Sequence, residues 1–239
     1  MNHTLVIIPT YNESENIPTL LDQLTDLDVD VLIIDDNSPD NTAEFVKKSN
    51  LYNSKVFLIS REEKLGLGSA YRDGFVWALT KEYKYIVEMD ADLSHTVSDL
   101  SILLKNKVNN DLVIGSRYVD GGAVEGWNKY RYILSFLANK YSKFFTFCNV
   151  NDMTSGFRIY SDYALRSIDF QNTKSNGYAF QIEMTVLCVI KKLQIKEVPI
   201  TFYERRDGKS KMSSYIVLEA FPKVLIFGLK RIINYLTTP

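Results

Sequence analysis

Asp90 and Asp92 stand two residues apart at the end of a short apolar run, Tyr85-Ile86-Val87-Glu88-Met89. Carboxylates this close repel unless a cation or several donors sit between them. A hard divalent cation takes oxygen ligands, so the pair suits a cation that also holds a diphosphate. The same spacing occurs in ordinary polar turns after strands, and the motif alone does not choose. Polar clusters follow two earlier apolar runs: Thr10-Tyr11-Asn12-Glu13 after residues 5–8, and Asp35-Asp36-Asn37-Ser38-Pro39-Asp40 after residues 29–34. Late in the chain, residues 203–211 gather Arg205, Arg206, Lys209 and Lys211 around Gly208. Such a loop is commonly just solvated. It is also the composition needed to close over a diphosphate.

These groups need a frame. Apolar runs at 5–8, 29–34, 56–59, 85–89 and 112–115 read as strands. Between them lie helical patterns: one opened by Ser14-x-x-Ile17-Pro18, one capped by Asp40 or Asn41, and one over 69–80. Short strands alternating with helices predict an α/β chain with a parallel, doubly wound sheet. The polar clusters after strands one, two and four then share one edge, where such sheets bind ligands. Gly66-Leu67-Gly68 is not a dinucleotide fingerprint, because it follows the third strand and Tyr71 takes the last glycine's place. Its glycines allow a tight turn, or bring backbone N–H groups near a ligand.

Beyond residue 120 the character changes. Residues 128–148 carry Lys129, Arg131, Lys140 and Lys143 and no acid, with Tyr130, Tyr132, Phe136, Tyr141, Phe144, Phe145 and Phe147 among them. A basic, aromatic helix reads as a membrane-surface element, or as a core helix whose lysines reach out to water. Residues 179–190 read as a core helix, 195–202 as a strand, and 213–236 as an apolar tail that Pro222 kinks or divides. The net charge of −1 gives no general attraction to nucleic acid. Cys148 and Cys188 are too few for a disulfide framework. No signal peptide and no spanning segment are expected, because no uncharged apolar run approaches about 18 residues.

Four stretches now combine: Pro9-Thr10-Tyr11-Asn12-Glu13, Asp35-Asp36-x-Ser38-Pro39-Asp40, Met89-Asp90-Ala91-Asp92-Leu93-Ser94-His95 and Gly115-Ser116-Arg117-Tyr118. Together they resemble the family-2 glycosyltransferases with a GT-A fold, and more narrowly the dolichyl-phosphate (polyprenyl-phosphate) mannosyltransferases. The likeness continues through Ser155-Gly156-Phe157-Arg158, Gly177-Tyr178-x-Phe180-Gln181-x-Glu183-Met184, Glu197-Val198-Pro199-Ile200-x-Phe202 and Arg205-x-x-Gly208-x-Ser210-Lys211. It implies a GT-A, Rossmann-like domain over 1–211 that includes the interface helix at 128–147, with an amphipathic, membrane- or partner-facing tail over 212–239. It also implies that Pro9, Tyr11, Glu13, Ile33 and Asp35 bind the nucleoside, guanosine first. Asp90, Ala91 and Asp92 would bind the diphosphate and its Mg²⁺ or Mn²⁺. Ser94 takes the position of a further metal ligand, where some members carry glutamine. Arg117, Arg205 and Lys211 match anion-contacting positions, and Arg131 and Ser135 fall where the acceptor phosphate approaches.

The reaction so implied moves mannose from GDP-mannose to a polyprenyl or dolichyl monophosphate. The nucleophile is an ionised phosphate oxygen, so no general base is required, and inversion at the anomeric carbon is expected. Asp92, Arg117 and Arg131 are the expected catalytic residues. The enzyme is expected at the cytoplasmic face of a membrane as a peripheral protein, with a small transmembrane partner subunit as in some family members. Two alternatives remain: transfer of glucose or another sugar from UDP or GDP donors to lipid phosphate or a sugar hydroxyl, and a non-catalytic nucleotide-sugar-binding protein.

Overall fold

The computed structural model describes residues 3–204 and 214–237. Every residue of β1 (Thr4–Thr10) except Pro9 is buried, and so is all of β2 (Asp30–Asp35). Burial on both faces is what a strand between two helix layers requires. β1 pairs in parallel with β2 and with β4 (Tyr85–Glu88), and β2 with β3 (Val56–Ser60). Pairing with β4 ends at Ile7, so Pro9 interrupts no ladder there although it lacks an N–H. Alternation along β1 sends Leu5 and Ile7 to one core, with Tyr71, Phe75 and Phe180. It sends Val6 and Ile8 to the other, with Leu20, Leu24 and Leu103.

The helices of this half are α1 (Ile17–Thr25), α2 (Thr42–Lys47), α3 (Leu67–Thr80) and α4 (Val97–Lys105). α1 buries Ile17, Leu20, Leu21 and Leu24, the stripe its spacing predicts. α4 was not anticipated, although Thr96 caps it by accepting from Asp99 N at 3.0 Å.

The seven-stranded sheet has the order β3-β2-β1-β4-β7-β5-β8, with β5 (Leu112–Ser116), β7 (Arg158–Ser161) and β8 (Ile195–Pro199). β7 runs antiparallel to both β4 and β5, so the sheet is mostly rather than wholly parallel. The cause is the excursion after β5 through β6 (Ala123–Glu125) and α5 (Lys129–Thr146). It leaves from the carboxyl edge and returns to that edge, so β7 must run back. After β7 come α6 (Asp162–Ser167), one 3₁₀ turn and α7 (Gly177–Ile190). The strand expected over 195–202 divides at Ile200. β9 (Thr201–Tyr203) leaves the main sheet and pairs with β6.

α5 buries Ser135, Asn139, Ser142 and Thr146, and turns its apolar residues outward. Tyr130 is 77% exposed and Phe144 70%. This arrangement excludes the core-helix reading. α8 (Ser214–Thr237) runs through Pro222, so the expected division there is not seen. Val224 and Phe227 anchor it in the core, and tertiary packing of this kind outweighs one lost helical bond. Its outer face shows Leu225, Ile226, Leu229 and Ile233. Among the described residues no helix is long and apolar enough to cross a membrane.

Candidate active site

Because β2, β1 and β4 are adjacent and parallel, their carboxyl ends bring the three polar clusters to one edge. Left-handed asparagines, Asn12 and Asn37, turn the chain at the first two ends. Asp35 is 2% exposed and accepts from Thr10 Oγ1 (2.9 Å), Ser38 N (3.0 Å) and Ser38 Oγ (2.5 Å). It therefore shapes the turn that carries Ser38, whose hydroxyl in turn accepts from Asn12 N. Glu13 N donates to Thr42 Oγ1, and the Lys64 ammonium lies 3.6 Å over the Tyr11 ring. Ile33 is fully buried in the core with Ile8 and Ile17, and presents no side-chain surface to a ligand. Pro9 and Ala91 contribute backbone geometry at the strand ends. Gly66 turns with φ +89°, and its N–H goes to Asp36 Oδ2 (2.9 Å), a protein carboxylate rather than a ligand. Arg61 pairs with that same Asp36.

At the end of β4, Leu93 adopts a left-handed φ of 61°, unusual for a leucine. That turn folds Ser94 back, so its N–H donates to Asp92 Oδ1 at 3.1 Å. The Ser94 hydroxyl is fully buried and meets no hydrogen-bond partner among the described residues. His95 lies flat on Phe157 (ring centroids 4.4 Å) and edge-on to Phe202, with Nε2 3.5 Å from Asp90 Oδ2. Neither of its ring nitrogens makes a hydrogen bond to the described protein. The same holds for the Gln181 amide, the Glu88 carboxyl and the Tyr71 hydroxyl. Burial pushes the Glu88 carboxyl up to about 8 against the pull of Arg158, and burial with the nearby Asp90 charge pushes Tyr71 up. Folded proteins satisfy most buried polar atoms, so a group of orphans around Asp90 marks a place for a polar ligand.

The donor set also suits a divalent cation. Two carboxylates and the buried Ser94 hydroxyl stand on one turn, all oxygen. Among the described residues no three His, Cys, Asp or Glu side chains converge as a full metal cage. A cation held by one or two carboxylates and completed by substrate phosphates needs no cage.

Arg117 sits at the other side, 7% exposed. Its Nε and Nη2 grip Asp152 at 2.7 Å each, and Nη2 also donates to Thr154 Oγ1 (2.9 Å). Burial alone would raise the Asp152 carboxyl, but the Arg117 guanidinium outweighs it and holds the carboxyl below 3.8. Asp152 and Asn151 are held by Glu197 through their backbone N–H groups (2.9 and 2.8 Å). Arg117 also faces the rings of Tyr118, Trp127 and Phe202 at 5.3 to 5.6 Å. Arg131 covers Trp127 at 4.1 Å and donates to Glu204 Oε1 at 2.8 Å. Ser135 accepts from the Tyr118 hydroxyl at 2.8 Å. Arg117, Arg131 and Ser135 are thus neighbours, joined through Tyr118 and Trp127. Beside Ser135 and Thr154, an apolar cavity of about 50 Å³ opens between α5, α7 and α8, lined also by Tyr178, Ile182, Phe221 and Val224.

Arg205 and Lys211 lie outside the described residues. Asp152, His95 and Trp127 were not foreseen. Asp152 stands only two residues before Thr154, but nothing local to it announces a partner at position 117.

Residues 5–169 match the family described as Glycosyl transferase family 2. The chain belongs to that family. It is 43% identical over 231 residues to a polyprenol monophosphomannose synthase of Mycolicibacterium smegmatis, covering 95% of this chain and 87% of that one. It is also 43% identical over 227 residues to an undecaprenyl-phosphate mannosyltransferase of Micrococcus luteus, covering 94% and 93%. In fold it is similar to glucosyl-3-phosphoglycerate synthase from Mycobacterium tuberculosis, solved with Mn²⁺, UDP-glucose and phosphoglyceric acid. That match has a TM-score of 0.70 at 18% identity, over 94% of this chain and 79% of the other. The mostly parallel sheet with its flanking helices is a GT-A-like fold.

Proposed function

We propose that the chain transfers mannose from GDP-mannose to a polyprenyl monophosphate, with inversion at the anomeric carbon. The observation that carries this reading is the pairing of two unlike surfaces at one edge. An acidic turn with orphaned buried polar atoms faces the donor side. An arginine pair at the foot of an outward-apolar helix faces the acceptor side. The two relatives at 43% identity are both named for mannose and a polyprenyl carrier, and support the same assignment.

In this reading Asp92, with Asp90 and Ser94, holds Mg²⁺ or Mn²⁺, which neutralises charge on the departing diphosphate when bound. A fold relative was solved with Mn²⁺ and a nucleotide sugar, in keeping with a divalent ion here. Tyr11, Glu13 and the Asp35 turn cradle the nucleoside. Asp152 keeps the Arg117 fork in place, and Arg117 with Arg131 orients the acceptor phosphate for in-line attack. The first isoprene units start into the apolar cavity beyond Ser135. Arg205 and Lys211 are assigned from sequence alone to close over the diphosphate. No general base is needed, because the acceptor oxygen is already ionised. Glu183, the carboxylate nearest in sequence to such a role, is 7% exposed and faces Lys230 at 3.9 Å.

The lipid acceptor stays in a bilayer, so the protein works as a peripheral enzyme at the cytoplasmic face of a membrane. α5 and the outer face of α8 meet the surface, alone or with a small transmembrane partner. Radiolabelled GDP-mannose and UDP-glucose, each supplied with polyprenyl-phosphate vesicles and Mg²⁺ or Mn²⁺, test the assignment. Label should reach the lipid from GDP-mannose, stop with EDTA, and fall about a hundredfold or more in Asp92→Ala. Lipid labelling from UDP-glucose alone would overturn the donor.

A further inference from the structure

Gly156 has no reason inside the protein to be glycine. The other described glycines either adopt positive φ or would drive a Cβ to 3.0 Å or closer to a neighbour. A Cβ on Gly156 would make only ordinary contacts: Asp90 Oδ1 at 3.7 Å, Gln181 Nε2 at 3.8 Å and Asp90 Oδ2 at 3.9 Å. Glycine costs backbone entropy wherever it is not required. What its missing side chain leaves open is the gap between the Asp90 carboxylate and the Gln181 amide.

Gln181 points the same way by a separate observation. It is 1% exposed, and neither amide atom has a hydrogen-bond partner among the described residues. Glu88 is near enough for the amide to favour its ionised form, but no bond within 3.5 Å joins them. A deeply buried amide with no more than a long contact to Glu88 keeps its oxygen and an N–H open, which is costly unless a ligand completes them. It offers both donors and an acceptor, and no charge, which is the complement of a hydroxyl group and not of a phosphate.

The two residues are held together from below. Arg158, fully buried, donates through Nε to Ser155 O (2.6 Å) and through Nη1 to Gln181 O (3.0 Å). One guanidinium therefore clamps the loop that carries Gly156 to the helix that carries Gln181, so the gap is built in advance.

We propose that Gly156 and Gln181 form the subsite for the transferred sugar: Gly156 leaves the room and the Gln181 carboxamide pairs with one sugar hydroxyl. This rests on the glycosyl-transfer reading above and names the residues that select its sugar.

Gly156→Ala and Gln181→Leu in the full chain provide the test. Binding of GDP and of GDP-mannose with Mn²⁺ is measured by calorimetry, and kcat/KM for GDP-mannose and its monodeoxy analogues by lipid labelling. Both variants should melt near the wild type and bind GDP as it does. Both should lose roughly tenfold or more in kcat/KM for GDP-mannose. The wild type should reject one monodeoxy analogue, and Gln181→Leu should cease to distinguish that analogue from the parent. The proposal is overturned if Gly156→Ala matches the wild type on GDP-mannose. It is equally overturned if Gln181→Leu lowers kcat/KM by one common factor for every analogue. Absence of any sugar transfer by the wild type overturns the transferase reading, and the subsite with it.

Discussion

α1 and α5 are both two-faced helices, and they bury opposite faces. α1 hides Ile17, Leu20, Leu21 and Leu24 under the sheet. α5 hides Ser135, Asn139, Ser142 and Thr146, and leaves Tyr130, Ile133, Leu137 and Phe144 in the open. The first is what water demands of a helix on a globular domain. In the second, the polar inner face is tied by directed bonds, and Tyr141 packs on Phe221 of α8. Asn139 Nδ2 donates to Thr154 Oγ1 at 3.1 Å, Thr154 accepts from Arg117, and Arg117 grips Asp152. α1 is therefore seated by apolar burial, and the inner face of α5 by a polar network. Large exposed apolar area marks an interaction surface, so the network sets an outward-apolar helix on an otherwise ordinary α/β domain.

The largest expected effect is on the network. Asp152→Ala leaves the Arg117 charge buried and uncompensated, and should cost roughly 3–5 kcal/mol in urea unfolding. Lipid-phosphate transfer should fall with it, because Arg117 loses its orienting partner. Acid should act in the same direction. Asp152 has a folded pKa below its ordinary 3.8, so its contribution is fully present above that value and is lost as pH falls through the folded pKa. Asp152→Asn should flatten the stability profile in that acid window. A variant that unfolds no more readily than the wild type would show that packing alone seats α5.

Next comes the apolar half. Leu20→Ala removes a fully buried side chain and should cost about 2–5 kcal/mol. The cost should not change as pH falls below 3.8, where the Asp152 contribution changes. If both variants showed the same pH slope, α1 and α5 would not be seated by different forces.

The two halves were also unequally legible. The strands, α1 and the Asp90-x-Asp92 turn follow from period and from polar residues at strand ends, signals contained in ten residues or fewer. α4 carries such a signal too, in the Thr96 cap and Asp99 three residues on. The direction of β7 was not readable, because a four-residue strand pairs equally well either way and only the excursion through α5 decides. Period gave α5 two faces but not which one goes in, since Asn139 has to find Thr154 and Arg117 has to find Asp152 before a polar face can be buried. Ile33 illustrates the converse. It sits in a motif stretch that resembles a nucleoside site, yet alternation along β2 sends its side chain into the core.

The smallest expected effect on folding is the sharpest check on the comparison. Phe144 is 70% exposed on α5, so Phe144→Ala should change unfolding free energy by no more than about 0.5 kcal/mol. A core phenylalanine would cost several times that. On anionic vesicles the order should invert. The ring that contributes nothing to folding would be buried in the bilayer, and its loss should weaken binding about tenfold. Leu137→Ala should behave likewise, whereas Ile102→Ala at an exposed position on α4 should leave vesicle binding untouched. Equal vesicle binding by wild type and Phe144→Ala would mean that the outward aromatic face of α5 meets something other than lipid.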